Sequence, residues 1–210
     1  MKTNRGRDMR VEREIASFLD ERLYTQPLFA SHGRTDDMEE QMQGSDIILS
    51  IPSLNIKDAV VDEKAISTYY YLPKSIPTFA LELSFISYKG DVIEGWFTDS
   101  SKTTEYYLMV WLHATKYDFT KDDITWLEYA LVKRSDIYDW LDTQGLSKEK
   151  LREKDAEIRA TVKQQGNIDK VIGKDYWFSY SPQLGECPIN IVIRKKIYLQ
   201  IAKLHGEFNL

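Results

Sequence analysis

The sequence lacks several features on which common protein functions depend. It has one cysteine, Cys187, so no disulfide can form within the chain. Its three histidines lie far apart, and no pair has the spacing of a zinc site. Neither GxxxxGK nor GxGxxG, the glycine-rich loops that cradle phosphates, is present. These absences argue against a disulfide scaffold, a zinc enzyme, and nucleotide-driven motor or oxidoreductase chemistry.

The sequence also offers no feature that directs it to a membrane. No apolar run reaches 18 residues, and no apolar segment follows the polar, basic start. We therefore expect a cytoplasmic protein that neither spans a membrane nor carries a signal peptide. The net charge of −5 argues against a dedicated basic surface for nucleic acid. The 210 residues fit one domain, or one domain with an appendage, and are enough to bury a core.

Hydrophobic patterning predicts a mixed α/β fold. Apolar residues at helical spacing predict an amphipathic helix over 9–24, and an acidic stretch predicts a helical turn over 36–43. The first part of the chain then reads, in order, as strands over 46–51, 58–66 and 77–85, a buried helix over 103–115 and a strand over 124–133. The later part reads as helices over 135–141 and 147–163, strands over 176–180 and 188–195, and a helix over 197–205.

Charged residues interrupt the second predicted strand. Asp62, Glu63 and Lys64 lie between apolar pairs, and alternation along a strand projects Asp62 and Lys64 to one face and Glu63 to the other. Asp46 begins the preceding strand and can lie beside them. Two carboxylates suit Mg²⁺, which binds hard oxygen ligands, and a lysine can orient water or offset charge on a phosphate. The pattern is typical of phosphodiester hydrolysis.

Gly44-Ser45-Asp46, followed sixteen positions after Asp46 by Asp62-Glu63-Lys64, resembles the motif of the PD-(D/E)XK nuclease superfamily. The resemblance covers the first two thirds of the chain. It implies a restriction endonuclease-like core of a helix, a three-stranded antiparallel meander, a helix and a strand. That core would occupy residues 1–134, and residues 135–210 would form a C-terminal α+β extension or subdomain.

The resemblance also implies roles for individual residues. Asp46 and Asp62 match the metal-binding acids of the family, and Lys64 matches its catalytic lysine. Glu14 lies where many members place a helical glutamate that helps to hold metal. Thr103 and Tyr107 occupy the positions of a glutamine and a tyrosine on the helix after the sheet, and threonine departs from that pattern.

Simpler interpretations of these residues stay open at this stage. Asp46 alone reads equally as a turn residue after a glycine. Glu63 replaces Asp62 as ligand if the strand is shifted by one residue. Glu14 is also typical of a charge at the boundary of an amphipathic helix. Glu82 lies on the polar side of the third strand, either beside the site or in solvent.

The sequence therefore predicts a Mg²⁺-dependent (or Mn²⁺-dependent) nuclease that hydrolyses DNA, with RNA and a homodimer left open. One alternative is a catalytically inactive binding or scaffold protein with the same fold, which the acidic net charge favours. A second alternative is an unrelated α/β interaction protein in which the motif is coincidental. Separation of Asp46 from Lys64 in the structure would favour that second alternative.

Overall fold

A computed structural model describes residues 5–35 and 43–210, and these residues form two compact units. Unit one takes in the described residues up to Pro77, together with Thr103–Arg134 and Ala202–Leu210. Unit two consists of Thr78–Lys102 and Ser135–Ile201. The helical turn predicted over 36–43 falls almost entirely outside the described residues.

Unit one is a six-stranded sheet with one long helix. The helix α1 spans Arg5–Arg22, and short 3-10 helices lie at Pro52–Leu54 and Lys121–Asp123. The strands in chain order are β1 Ser31–Arg34, β2 Ile47–Ile51, β3 Ile56–Ile66, β6 Tyr106–Ala114, β7 Ile124–Lys133 and β11 Leu204–Asn209.

The strand order in this sheet is β1-β2-β3-β6-β7-β11. All neighbours are antiparallel except β3 and β6, which run parallel. In the parallel register Asp62 lies beside Tyr107 and Lys64 beside Met109. Since parallel strands end at the same edge, the segments that follow β3 and β6 leave the sheet together.

The core of unit one lies between α1 and one face of this sheet. The apolar stripe of α1 that the sequence predicts, Val11, Ile15, Phe18 and Leu19, is buried there. It packs in the same cluster as alternate residues of the central strands, Ala59 and Val61 on β3 and Leu108, Val110 and Leu112 on β6. Burial of these apolar surfaces is the main term that stabilises the unit.

Unit two is built around a five-stranded sheet in the order β5-β4-β10-β9-β8. Its strands are β4 Thr78–Ile86, β5 Val92–Glu94, β8 Gly166–Ile168, β9 Tyr176–Tyr180 and β10 Ile189–Arg194. Its helices are α2 Arg134–Thr143, which begins at the boundary residue, α3 Lys148–Thr161 and α4 Lys195–Ile201. Ser147 caps α3, because its side-chain oxygen accepts a hydrogen bond from the Lys150 amide.

The structure confirms the mixed α/β class and most of the predicted elements. The first helix, the strands at β2, β3, β4, β7, β9 and β10, and the helices at α2 and α3 lie where the patterning predicts them. The helix predicted over 103–115 is wrong, because this segment is the central strand β6. The helix predicted over 197–205 is wrong in its second half, where β11 begins at Leu204. Strand β1 lies between the predicted helix over 9–24 and the predicted turn over 36–43, where the patterning predicts no regular element.

The partition of the chain differs from the predicted one. One boundary between the units lies between residues 134 and 135, where the sequence predicts it. However, residues 78–102 belong to unit two and residues 202–210 belong to unit one. Strand β4 therefore pairs with β5 and β10 rather than completing a meander with β2 and β3. Within residues 5–35 and 43–210, no helix combines the length and the hydropathy that crossing a membrane requires.

Candidate functional site

The position of Asp46 is set by hydrogen bonds on both sides of its backbone. Its amide donates to the carbonyl of Val61 over 3.0 Å, and its carbonyl accepts from the amide of Thr35 over 3.0 Å. The preceding residue is also held, since the hydroxyls of Ser45 and Thr35 lie 3.0 Å apart. Asp46 is thereby fixed at the start of β2, directly beside β3.

The side chain of Asp46 reaches β3. Its Oδ2 accepts a hydrogen bond of 2.7 Å from the amide of Glu63, and its carboxyl is hydrogen-bonded to that of Asp62. On β3 itself, Nζ of Lys64 lies 2.7 Å from Oδ1 of Asp62. The structure thus brings together the three residues Asp46, Asp62 and Lys64, as strand alternation predicts.

Asp62 is a buried carboxyl beside another carboxyl, with only 3 % of the residue exposed. Burial raises the pKa of Asp62 to about 7; Lys64 opposes this increase, while the charge and hydrogen bond of Asp46 add to it. Burial alone would lower the pKa of Lys64, but Asp62 and Asp46 outweigh it, so the pKa of Lys64 lies above its ordinary value. The lysine therefore stays charged, and Asp62 exchanges a proton near neutral pH.

A fourth residue, Glu12 on α1, belongs to this group. Burial raises the pKa of Glu12, the charge of Lys64 lowers it, and the charges of Asp8 and Asp46 raise it. These interactions place its carboxyl within electrostatic range of both Lys64 and Asp46. We call Glu12, Asp46, Asp62 and Lys64 the carboxylate–lysine cluster; it contains three carboxyl groups and one ammonium group.

Glu63 projects to the opposite face of β3, as alternation predicts for its side chain. Its carboxylate accepts hydrogen bonds from the Arg34 guanidinium, at 2.7 Å and 3.2 Å, and from the Tyr24 hydroxyl at 2.5 Å. Arg34 also pairs with Asp20 on α1 at 2.9 Å. Glu63 is therefore held in a partly buried ionic network between α1 and the sheet, and the one-residue shift that would make it a ligand does not occur.

The helical glutamate that the resemblance selects, Glu14, lies elsewhere. Its Oε2 accepts a hydrogen bond of 2.9 Å from the amide of Lys121, at the start of the second 3-10 helix. Glu12, one helical turn from Asp8, is an α1 carboxylate that interacts electrostatically with Lys64 and Asp46.

The remaining candidate residues are divided between the two units. Tyr107 is fully buried on β6 in register with Asp62, although on a strand rather than the predicted helix. Thr103 makes hydrogen bonds to the carbonyl of Gln43, and the buried Thr104 hydroxyl donates to the carbonyl of Gly44 over 2.8 Å. Both threonines thereby support the turn before Asp46. Glu82 lies on β4 in unit two.

The donor set fits a magnesium ion better than a softer metal. Among the described residues, no group of three or more histidines, cysteines, aspartates and glutamates is arranged to hold a metal ion. Mg²⁺ keeps several waters and takes one or two carboxylates, which Asp46 and Asp62 provide. Burial is the main cause of the raised pKa of Asp62, and a divalent cation bound there would favour its charged form.

Comparison of the chain with family models, with curated proteins and with solved structures found no match.

Proposed function

We propose that the protein is a metal-dependent nuclease that hydrolyses phosphodiester bonds of DNA at the carboxylate–lysine cluster. The observation that carries the proposal is the convergence of Asp46, Asp62 and Lys64 at adjacent positions on β2 and β3. The likeness to PD-(D/E)XK nucleases is part of the same proposal. It is supported by α1, by the β2–β3 pair and by the residues of the motif.

The two aspartates and the lysine have distinct roles in this proposal. Asp46 and Asp62 would hold the metal ion, which would polarise the scissile phosphate and acidify a water molecule. Asp62 also holds the Lys64 ammonium at 2.7 Å, so that the charge of the lysine is directed into the site. Lys64 orients the attacking water and offsets the negative charge that grows on the phosphate. Glu12 supplies a further carboxylate from α1.

The scaffold alternative is supported by the net charge of −5. One feature of the cluster favours the enzyme instead. A buried aspartate beside a second carboxyl costs stability, because its charged form is poorly solvated. Such an arrangement is typical of sites where function, not stability, selects the residues.

The proposal is tested by incubating plasmid, linear and branched DNA with the protein and Mg²⁺ or Mn²⁺. We expect cleavage that a chelator abolishes. Lys64→Ala and Asp62→Ala should each lower the rate by about a hundredfold or more, because each removes a charge that acts in the transition state. Titration calorimetry with Mn²⁺ should show binding to the unaltered protein and to Lys64→Ala, but much weaker binding to Asp62→Ala.

The two glutamates of α1 provide a matched comparison. Glu12→Gln should lower the cleavage rate, because Glu12 interacts electrostatically with Lys64 and Asp46. Glu14→Gln should leave the rate unchanged, because the Glu14 carboxylate is bonded to the amide of Lys121. If the protein neither cleaves DNA nor binds Mn²⁺, the nuclease proposal is wrong and the protein acts by binding a partner. Cleavage that persists in both Lys64→Ala and Asp62→Ala would show that another site carries the activity.

A further inference from the structure

Three tyrosines on two neighbouring loops of unit one expose much of their surface. Tyr69 and Tyr71 follow β3, Tyr117 follows β6, and their exposed fractions are 38 %, 57 % and 50 %. Large aromatic side chains in a folded protein are mostly buried, so a group of three exposed ones is characteristic of a binding surface.

Two of the exposed rings, those of Tyr71 and Tyr117, contact the ring of Tyr70. Tyr70 is partly buried, and its ring lies 5.6 Å from that of Tyr71 and 6.1 Å from that of Tyr117. It also packs 6.3 Å from the ring of Phe119, which is fully buried in the core. The Tyr70 carbonyl accepts a hydrogen bond from the amide of Ala114 at the end of β6. We call Tyr69, Tyr70, Tyr71 and Tyr117 the tyrosine platform.

Two arginines of α1 border the platform. The guanidinium carbon of Arg7 lies 4.0 Å from the centre of the Tyr117 ring, and Arg7 also donates to the Tyr117 carbonyl. Arg10 forms an ion pair with Asp118, the next residue along the loop. The platform therefore combines aromatic faces with cationic groups, but an aspartate neutralises part of the positive charge.

The platform is connected to the carboxylate–lysine cluster through α1. The guanidinium of Arg7 contacts the Asp8 carboxylate at 3.3 Å, and Asp8 in turn interacts electrostatically with Glu12 of the cluster. The loops of the platform also leave the edge of the sheet at which β3 ends, two residues beyond Lys64. The platform therefore lies at the edge of the sheet where β3, the strand of Asp62 and Lys64, ends.

We propose that the tyrosine platform stacks unpaired bases of a nucleic-acid strand, and hence that the substrate of the cluster is single-stranded or contains a single-stranded segment. The inference rests on the proposed nuclease function. Stacking requires the open face of a base, and bases within an intact duplex have both faces covered by their neighbours. Every base has such a face, so this mode of binding tolerates any sequence.

The charges near the platform define the form of this interaction. Arg7 and Arg10 are opposed by Asp8 and Asp118, so few phosphate contacts accompany the stacking. Affinity for single strands falls with salt in proportion to the number of phosphates neutralised. The platform should therefore bind with a shallow salt dependence, and Asp118→Asn should raise the affinity and steepen that dependence.

The experiment measures binding of fluorescein-labelled oligonucleotides by anisotropy in the presence of a chelator, so that no cleavage occurs. The probes are a mixed-sequence single strand and the blunt duplex of the same sequence. We expect the single strand to bind more tightly by at least tenfold. Tyr71→Ala and Tyr117→Ala should each weaken its binding roughly five- to a hundredfold, whereas the corresponding phenylalanine variants should retain it.

Tyr88 supplies the matched control, because it is 94 % exposed, lies on a turn of unit two, and has the Lys89 ammonium 5.6 Å from its ring. Tyr88→Ala should bind as the unaltered protein does. Equal affinity for the single strand and the duplex, or unchanged binding by Tyr71→Ala and Tyr117→Ala, would overturn the proposal. Binding of a protein segment at the platform, without binding of nucleic acid, would also overturn the proposal.

A second measurement uses no variant and so does not depend on their folding. Irradiation with an iodouracil-substituted single strand should cross-link peptides that contain Tyr71 or Tyr117, as read by mass spectrometry. Cross-links confined to other peptides would contradict the proposal. Single-strand binding without cleavage in Mg²⁺ or Mn²⁺ would refute the nuclease and leave the platform. Cleavage in Mg²⁺ or Mn²⁺, together with unchanged single-strand binding by the tyrosine variants, would support the nuclease and refute the role of the platform.

Discussion

Asp62 combines two properties that oppose each other in a carboxyl group. It is almost completely buried, yet it lies beside both a lysine and a second carboxyl. Burial disfavours its charged form, while the lysine favours it, and the outcome is a pKa of about 7 instead of the usual 3.8. The proton on Asp62 is therefore linked to folding.

This linkage predicts how stability varies with pH in the absence of metal. Between pH 4 and 7 the folded protein retains a proton on Asp62 that the unfolded chain has released, because the pKa in the folded state is the higher one. The free energy of unfolding should therefore fall as pH rises through this range and level off above it. The contribution of one such group is at most about 1.4 kcal/mol per pH unit.

Urea denaturation in a chelator, repeated at several pH values, measures this contribution. The free energy of unfolding of Asp62→Asn should vary less with pH than that of the unaltered protein. Asp91→Asn changes an exposed residue before β5, and its free energy of unfolding should vary with pH as that of the unaltered protein does. Parallel curves for all three proteins would show that Asp62 has no raised pKa.

The meeting of Asp46, Asp62 and Lys64 could be predicted from the sequence, because alternation and the adjacency of consecutive strands are local rules. The participation of Glu12 could not. Glu12 and Glu14 flank opposite sides of the apolar stripe that begins at Val11, and a helix advances 100° per residue. Which flank faces the end of β3 depends on the orientation of α1 on the sheet, which the sequence of α1 does not specify.

At the scale of secondary structure, β6 shows why an apolar segment is hard to assign. Eight of its nine residues, from Tyr106 to Ala114, are buried, so both faces of the strand are apolar and the period of two is lost. Such a run fits a buried helix equally well by pattern alone. Its content of tyrosine, valine and tryptophan is the signal that favours a strand. Helix α3, in contrast, has its start marked by a capping serine.

The start of α3 provides a prediction for a single element. Ser147→Ala removes the side-chain acceptor for the Lys150 amide, and we expect it to lower the free energy of unfolding by about 1 kcal/mol. Ser147→Asp keeps an acceptor at the same position and should restore the stability. Urea denaturation of the three proteins makes the comparison. Equal loss in both variants would mean that the hydroxyl acts through its other bond, to Glu149.

At the scale of the whole molecule, local patterns fail because each unit is assembled from separate stretches of chain. Strand β4 has the alternation expected of a meander strand, but it pairs with β10, more than a hundred residues further along. The final strand β11 pairs with β7 across some seventy residues. Pairing at such distances is decided by competition among strands, and the sequence of one strand carries little information about it.

The return of the chain to unit one makes residues 202–210 part of its fold. Phe208 on β11 packs 5.9 Å from Phe18 of α1 and 6.0 Å from Tyr129 of β7, ring centre to ring centre. Deleting residues 202–210 should therefore lower the thermal midpoint sharply, since it removes these contacts and exposes β7 as an edge. Phe208→Ala should cost roughly 2 kcal/mol or more.

Thermal unfolding followed by circular dichroism measures both changes. Deletion of Leu210 alone is the control, because this residue is 58 % exposed and should contribute little. A chain without residues 202–210 that unfolds at the same temperature as the unaltered protein would contradict the assignment of β11 to the core of unit one.

The parallel pairing of β3 with β6 has a consequence for the order in which a nascent chain folds. Between β3 and β6 the chain forms β4 and β5, which belong to the sheet of unit two. That sheet also needs β10, which spans residues 189–194. The sheet that carries Asp46, Asp62 and Lys64 in turn receives β11 only at residues 204–209. Neither sheet can therefore be completed before the strand that joins it last, β10 in unit two and β11 in unit one, has been synthesised.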